Sequence, residues 1–163
     1  MATKPRNPVR TESVYITWAP EEQRNIYSYV TLLGRILFGG YFAYSGINHF
    51  TNFGALTTAA ASKGIPLPEA GVVVSGLLLL AGGISIVLGL RPRLGALLPI
   101  LFLVPAAITI HNFWVETDPM AAQLSLMLFL RNIAFTGALL MIAGIPRWPL
   151  SLDRPTVGRA TRP

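Results

Sequence analysis

The chain has 163 residues, of which 52% are hydrophobic and 12% are charged, whereas soluble domains average about 25% charged residues. This length allows one domain, and the composition excludes an ordinary soluble fold. The absence of cysteine excludes thiol–disulfide chemistry, iron–sulfur clusters and covalently attached haem.

Four apolar stretches are each long enough to cross a bilayer as a helix, which takes about 20 residues. They are predicted at residues 29–50, 71–90, 94–115 and 121–145. No cleavable signal is expected, because the first stretch starts late and is too long for the apolar core of a signal peptide. The sequence therefore predicts an all-α integral membrane bundle of four antiparallel transmembrane helices.

This transmembrane domain covers residues 29–145, between an N-terminal tail of residues 1–28 and a basic, proline-rich C-terminal tail of residues 146–163. Little regular structure is expected in the C-terminal tail. Between the first two spans, apolar residues recur at helical spacing and predict a short helix on the membrane surface. They are Phe53, Leu56 and Ala60.

Small residues recur every fourth position in the first two spans and predict close helix packing. They are Gly39 and Ala43 in the first span, and Ala81, Ser85 and Gly89 in the second. Because glycine is common in membrane helices, these rows predict packing and no chemistry.

The basic residues predict the orientation of the chain. With four spans, both tails and the link between spans two and three share one side of the membrane. That side carries Lys4, Arg6, Arg10, Arg24, Arg91, Arg93, Arg147, Arg154, Arg159 and Arg162. The opposite loops carry Lys63 as their one basic residue, so the positive-inside rule places both termini in the cytoplasm. The net charge of +6 is explained by topology and anionic lipid, and no nucleic-acid partner is expected.

Polar side chains within the spans form a stripe on each of three helices. The stripes are Arg35, Ser45 and His49; Thr109, Asn112 and Glu116, with His111 beside them; and Ser125, Asn132 and Thr136. Our hypothesis is that the stripes face inward and line one shared polar pocket. Arg35 is shallow on the cytoplasmic side and is expected to snorkel to water.

Arg131 is predicted near the middle of the fourth span, a position that costs an arginine roughly 3 kcal/mol on insertion. The spans contain no Asp or Glu below the interface. Three kinds of partner stay open: the carbonyl of Leu101, which Pro105 leaves without its usual helical donor; Glu116 or Asp118, reached by snorkelling; or an anionic or carbonyl-bearing ligand held in the bundle.

His49 and His111 are predicted near the outer surface, where two histidines on two helices could ligate a haem. Interfacial histidines are more often hydrated polar residues, so haem is not expected. Zinc needs further ligands, and only Glu116 and Asp118 are nearby, so no metal site is predicted.

Several motifs occur together along the chain: "GRILFGGYFAYSGINHF", "SKGIPLP", "SGLLLLAGGISIVLGLRPRLGALL", "HNFW" followed by "DP", "FLRNIAFTGALL" and "PLSLD". With these motifs the chain resembles the DoxX-like family of small four-helix bacterial membrane proteins, over roughly residues 33–143. One feature departs from the family pattern. Many members carry a glutamate before the glycine pair that matches Gly82 and Gly83, whereas this chain has Ser75, Gly76 and no acid there.

The resemblance implies a protein of the bacterial inner membrane that works beside redox enzymes. The family is named after a subunit linked to a thiosulfate:quinone oxidoreductase, and relatives are associated with membrane redox complexes and oxidative-stress defence. This implies a non-haem subunit or partner of a quinone-linked complex, with a bound quinone as its ligand. The family motif singles out His111, Asn112, Trp114, Asp118, Arg131 and Asn132.

Two sets of residues follow as candidates, while no catalytic residue can be assigned. The quinone head group is expected to contact Arg131, Asn132, Thr109, Asn112 and Trp114. A proton path to the outer surface is expected along His111, His49, Glu116 and Asp118, because histidine titrates near neutral pH.

Two other functional classes stay open. The chain could be a structural or assembly subunit that binds a partner protein, a second copy or lipid without catalysis. It could also be a small-solute transporter, which the prolines inside the third span favour and the lack of a membrane-embedded acid disfavours.

Overall fold

The computed structural model of the chain describes residues 21–145 and 148–152. Its helices are α1 (Glu21–Thr51), α2 (Phe53–Ser62), α3 (Pro68–Leu88), α4 (Pro92–Thr109) and α5 (Pro119–Gly144), with a short 3-10 helix at Phe113–Val115. These ranges contain no strand. The helices α1, α3, α4 and α5 are long and apolar enough to cross a membrane. The predicted all-α fold with four spans is therefore confirmed.

The structure contains helical residues outside the four predicted spans. The helix α1 already includes residues 21–28, which we assigned to the N-terminal tail, and residues 1–20 lie outside the described part. The short helix predicted after the first span is confirmed as α2. In the C-terminal tail, residues 148–152 form a turn without helix or strand, and residues 146–147 and 153–163 are not described.

Proline begins three of the helices, at Pro68, Pro92 and Pro119. The fixed backbone angle of proline suits the first helical turn, where its missing N–H has no helical acceptor to lose. The α3–α4 link is tight because Gly89 and Arg91 adopt left-handed backbone angles, with φ of 68° and 43°. This turn makes α3 and α4 an antiparallel hairpin.

Small residues set how closely the helices pack around α3, which lies between α1 and α4. A Cβ atom on Gly39 of α1 would lie 2.8 Å from the carbonyl oxygen of Gly83 on α3. On the other side of α3, a Cβ atom on Gly82 would lie 2.8 Å from the carbonyl oxygen of Gly95 on α4. Both interfaces therefore need glycine, as is typical of membrane helices that associate closely.

The predicted packing rows are confirmed in the first span and partly wrong in the second. Ala43 does pack against Gly83, next to Gly39. Ala81 is exposed, whereas Ser85 contacts Gly95 and belongs to the α4 interface. A four-residue spacing identifies one face of a helix. The helix α3 packs through two faces, because it contacts both α1 and α4.

An aromatic cluster joins α5 to α1. The ring of Phe135 lies 5.6 Å from Phe38, 5.2 Å from Tyr41 and 5.9 Å from Phe42, each in edge-to-face geometry. We call the end of the bundle that holds residues 148–152 the termini end, and the opposite end the α2 end. The aromatic cluster closes the bundle in the half toward the termini end, and the space between the helices lies toward α2.

Candidate cavity in the membrane domain

A cavity of about 430 Å³ lies in the half of the bundle toward α2, and all five α-helices contribute to its wall. This volume is within the range of about 300–1,000 Å³ that is usual for small-molecule sites. The polar residues of the wall are Tyr41, Ser45, His49, Ser75, Thr109, His111, Arg131 and Asn132. The rest of the wall is apolar, and none of the described residues that line it is an Asp or Glu. The cavity thus combines an apolar body with a few hydrogen-bonding groups and an excess of positive charge.

Arg131 lies on the cavity wall near the middle of α5. It lies twelve positions after Pro119, which corresponds to about 18 Å along the helix. Its side chain is exposed, and within the described ranges it forms no hydrogen bond or ion pair. Neither the carbonyl of Leu101 nor the carboxylates of Glu116 and Asp118 pair with it. The described residues thus provide neither of the two protein partners that the sequence left open, and Arg131 borders a cavity.

Asn132, next to Arg131, is 3% exposed and has hydrogen-bonding capacity to spare. Its side-chain amide donates one long hydrogen bond of 3.5 Å to the carbonyl of Leu103 on α4. A primary amide carries two N–H donors and a carbonyl acceptor. Asn132 therefore offers further donor and acceptor groups at the cavity.

His49 is held in one orientation and one tautomer. Its Nδ1 lies 2.8 Å from the carbonyl oxygen of Ser45, and because a carbonyl only accepts, Nδ1 must carry the proton. The ring of Phe102 contacts the imidazole edge-to-face at 5.4 Å. In the neutral ring Nε2 is then an acceptor, so His49 can receive a proton or a hydrogen bond.

A polar cluster connects His111 on the cavity wall with the loops at the α2 end. Lys63 forms an ion pair with Glu116 at 2.5 Å and donates to the side-chain oxygen of Asn112 at 3.3 Å. His111, on the cavity wall, directly precedes Asn112 in the chain. The cluster therefore begins next to the cavity and extends to Glu116 in the loop.

The structure brings together some of the predicted site residues and separates others. Arg131, Asn132, Thr109, His111 and His49 line the cavity, and Asn112, Trp114, Glu116 and Asp118 do not.

The second set is separated because α4 ends at Thr109 and the chain then turns away. Trp114 is exposed and packs edge-to-face on Phe113 and Phe129, with ring centroids 5.1 and 6.0 Å away. Asp118 is the N-cap of α5 and accepts a hydrogen bond of 2.8 Å from the backbone N–H of Ala121. Both residues thus have clear structural contacts at the α2 end.

Sequence reasoning missed two contributors. Tyr41 lines the cavity, although it lies outside the polar stripe predicted for the first span. Lys63 holds the α2 end through Glu116. A signal was present for Lys63, because it is the one basic residue in loops that carry three acids.

The prediction that Arg35 reaches water is wrong. Arg35 is 3% exposed and donates hydrogen bonds to four backbone carbonyls. The acceptors are Ile86 at 3.0 Å, Val87 at 2.8 Å, Pro149 at 2.9 Å and Leu150 at 3.3 Å. Its guanidinium also lies 5.2 Å from the centroid of the Trp148 ring, a cation–π distance. Arg35 therefore ties the end of α3 to residues 148–152, an arrangement that we call the Arg35 clasp.

In a comparison with known families, the family model described as DoxX matches residues 30–112. This is slightly more than half of the chain, from α1 to the turn after α4. Most of the cavity wall lies within this range, and α5 with Arg131 lies beyond it. No curated protein and no solved structure matched the chain.

Proposed function

The chain belongs to the DoxX family and is a multi-pass integral membrane protein, and from that premise we propose that its cavity binds the head group of a quinone. In this proposal the protein is a non-haem subunit or partner of a quinone-linked membrane redox complex. The observation that carries the proposal is Arg131, a cation at mid-span that faces a cavity and has no described partner within the chain.

The charge of Arg131 favours a ligand with an electron-rich oxygen. Arginine stays protonated under all physiological conditions, and leaving it unpaired at mid-membrane costs roughly 3 kcal/mol or more. A carbonyl or anionic oxygen beside the guanidinium recovers part of this cost. Asn132 adds a second donor at the same depth, and the apolar remainder of the wall suits a flat ring. A quinone head group has this combination of carbonyl oxygens on an apolar ring.

A bound quinone would supply coupled electron and proton transfer. Arg131 would donate to a ring oxygen and stabilise negative charge that develops there. His49 would accept a proton at Nε2, since Nδ1 already donates to Ser45. His111 would pass protons toward Asn112, Glu116 and Lys63, with Asp118 at the surface end of the path.

The distribution of basic residues supports an orientation for this arrangement. We propose that both termini lie in the cytoplasm and that the membrane is the bacterial inner membrane, because the positive-inside rule favours this side for the basic loops and tails. The α2 end and the cavity would then face the outer side. A cysteine at Thr117 should react with a membrane-impermeant maleimide in whole cells, and a cysteine at Arg93 should react only after lysis. The reverse pattern would contradict the orientation.

The binding proposal is tested by replacing Arg131 in purified protein in lipid nanodiscs. Arg131→Met should weaken the binding of a menaquinone by about 10- to 150-fold, because a hydrogen bond from a charged donor contributes about 1.5–3 kcal/mol. The matched control is Arg93→Met, which removes the same charge from an exposed site outside the cavity. Unchanged affinity in Arg131→Met, with wild-type helicity, would contradict the proposal.

A second candidate is a structural or assembly role, favoured by the exposure of α5. Within its apolar stretch 11% of residues are buried, compared with 39% in α3. A membrane partner, a second copy or lipid would cover this helix. Purification from native membranes in mild detergent separates the candidates. A stoichiometric redox subunit with bound quinone supports the first, and a homo-oligomer that carries lipid alone supports the second.

A further inference from the structure

We propose that the cavity takes its ligand from the hydrocarbon core of the bilayer, through an opening on the side of the bundle, while α2 and its turn close the cavity toward water. This inference rests on the proposed function for the identity of the ligand, a quinone. It adds the class of molecule that can enter, which is a molecule with one small polar head group on a long apolar chain. A water-soluble solute does not belong to this class.

The first evidence is that the cavity wall reaches the lateral surface of the bundle. Several residues that line the cavity are also exposed: Tyr41 at 39%, Val74 at 55% and Leu101 at 62%. Leu101 lies nine residues after Pro92, which corresponds to about 14 Å from the start of α4. At that depth an exposed side chain of a membrane helix meets lipid tails. Because these side chains border the cavity and are also exposed, we place the opening at this height, within the hydrocarbon region.

The second evidence is the position of α2 over the end of the cavity. The wall includes Leu56, Ala59 and Ala60 of α2, and Ile65 of the turn that follows. This turn is fixed by backbone hydrogen bonds, including one of 3.1 Å from the N–H of Ile65 to the carbonyl of Ala60. The ligand therefore meets an ordered turn and helix at the end of the bundle nearest to water.

Side-chain contacts attach this cover to the other half of the bundle. The Lys63–Glu116 ion pair joins the α2–α3 turn to the segment between α4 and α5. That segment is packed on α5 through Phe113, whose ring lies 5.5 Å from the ring of Phe129. A molecule the size of a quinone would have to break these contacts to enter from the α2 end. The route of the ligand is therefore placed on the side of the bundle.

The route is tested first without any ligand. Because the natural chain has no cysteine, one spin label can be attached at Ser45→Cys inside the cavity of otherwise unchanged protein in nanodiscs. The label should collide frequently with oxygen, which concentrates in lipid, and rarely with a water-soluble nickel chelate. Labels at Met127→Cys, exposed on α5, and at Thr117→Cys, exposed in a loop, give the lipid and water references. A chelate signal at Ser45 near that of Thr117 would overturn the inference.

The second test measures quinone exchange. Leu101→Trp should slow the exchange of a long-chain menaquinone by about tenfold, because a bulky side chain on the cavity wall narrows the passage. Leu97→Trp is the matched control, since Leu97 is exposed one turn earlier on the same face of α4 and does not line the cavity. Equal exchange rates in these two variants would overturn the lateral route.

The third test closes the α2 end. In a variant with cysteines at Lys63 and Glu116, joining the two cysteines with a short bismaleimide should leave the menaquinone exchange rate equal to that of the same variant before cross-linking. A block of exchange by the cross-link would overturn the inference. The proposed function can fail separately. If wild-type protein binds no menaquinone while the Ser45 label meets oxygen and excludes the chelate, the quinone is refuted and the lateral opening stands.

Discussion

Replacing Arg35 by methionine should release the C-terminal segment from the bundle. Methionine keeps an unbranched apolar side chain in the buried position but has no N–H group. The four backbone carbonyls in the clasp then lose their donor, two at the end of α3 and two in residues 148–152. The cation–π contact with Trp148 is lost as well.

The size of the effect follows from the contacts that opening of the segment breaks in the wild-type protein. Opening separates Arg35 from the carbonyls of Pro149 and Leu150 and from the Trp148 ring, whereas its hydrogen bonds to the end of α3 remain. The 2.9 Å hydrogen bond from the charged guanidinium to Pro149 contributes about 1.5–3 kcal/mol, and the longer bond to Leu150 adds little. With a cation–π contribution of about 0.5–1 kcal/mol or more, we expect the free energy of opening the segment to fall by about 2–4 kcal/mol. That corresponds to an opening equilibrium larger by about 30- to 1,000-fold.

Hydrogen exchange measures this opening directly. The N–H of Leu152 donates to the carbonyl of Leu88 at 3.1 Å, and its exchange rate reports the opening when closing is fast. Mass spectrometry of the C-terminal peptide should show faster exchange in Arg35→Met than in Arg93→Met, whose side chain is exposed and outside the clasp. Equal protection of the Leu152 amide in both variants would refute the reasoning, because the segment would then be held by other contacts.

Three further predictions concern stability, measured as the midpoint of unfolding in detergent. Gly46→Ala should destabilise the bundle by about 1–3 kcal/mol through overpacking, since its Cβ would lie 2.8 Å from a backbone oxygen of α3. Gly40→Ala, with no atom within 4 Å, should have no such effect, and equal midpoints would contradict this account. Asp118→Ala should lower the free energy of unfolding by about 1 kcal/mol, because the N-cap of α5 is lost. Asp118→Asn should retain most of this stabilisation. Lys63→Met should cost at most about 1 kcal/mol, because the side chains of Lys63 and Glu116 are 28% and 22% exposed, and a larger loss would show that the pair has a greater structural role.

The candidate site was partly predictable from the sequence. Arg131, Asn132 and the two histidines could be selected because polar side chains are rare and costly in apolar spans. Thr109 followed from helical spacing, and it does line the cavity. The same spacing failed for Asn112, because it assumed that the helix continues, whereas α4 ends at Thr109. Where a helix ends within an apolar stretch depends on packing, which the sequence pattern does not report.

The two arginines show the same limit. Both occur in apolar helices, and the sequence suggested that Arg35 reaches water and that Arg131 needs a partner. In the fold Arg35 is the buried residue, with carbonyl acceptors 51 and 115 positions away in the chain. Every residue has a backbone carbonyl, so the sequence does not indicate which carbonyls will accept hydrogen bonds from an arginine.

The sequence by itself determined the spans, the short helix α2 and the helical fold. These properties are local, since each apolar stretch must satisfy its own backbone hydrogen bonds in lipid, and a helix does so without help from distant residues. Only the tertiary structure decided which faces of α3 pack, how Arg35 is satisfied, and where a cavity remains. Those outcomes depend on close approach between residues far apart in the chain, where one Cβ atom at Gly82 or Gly83 would already collide with a neighbouring helix.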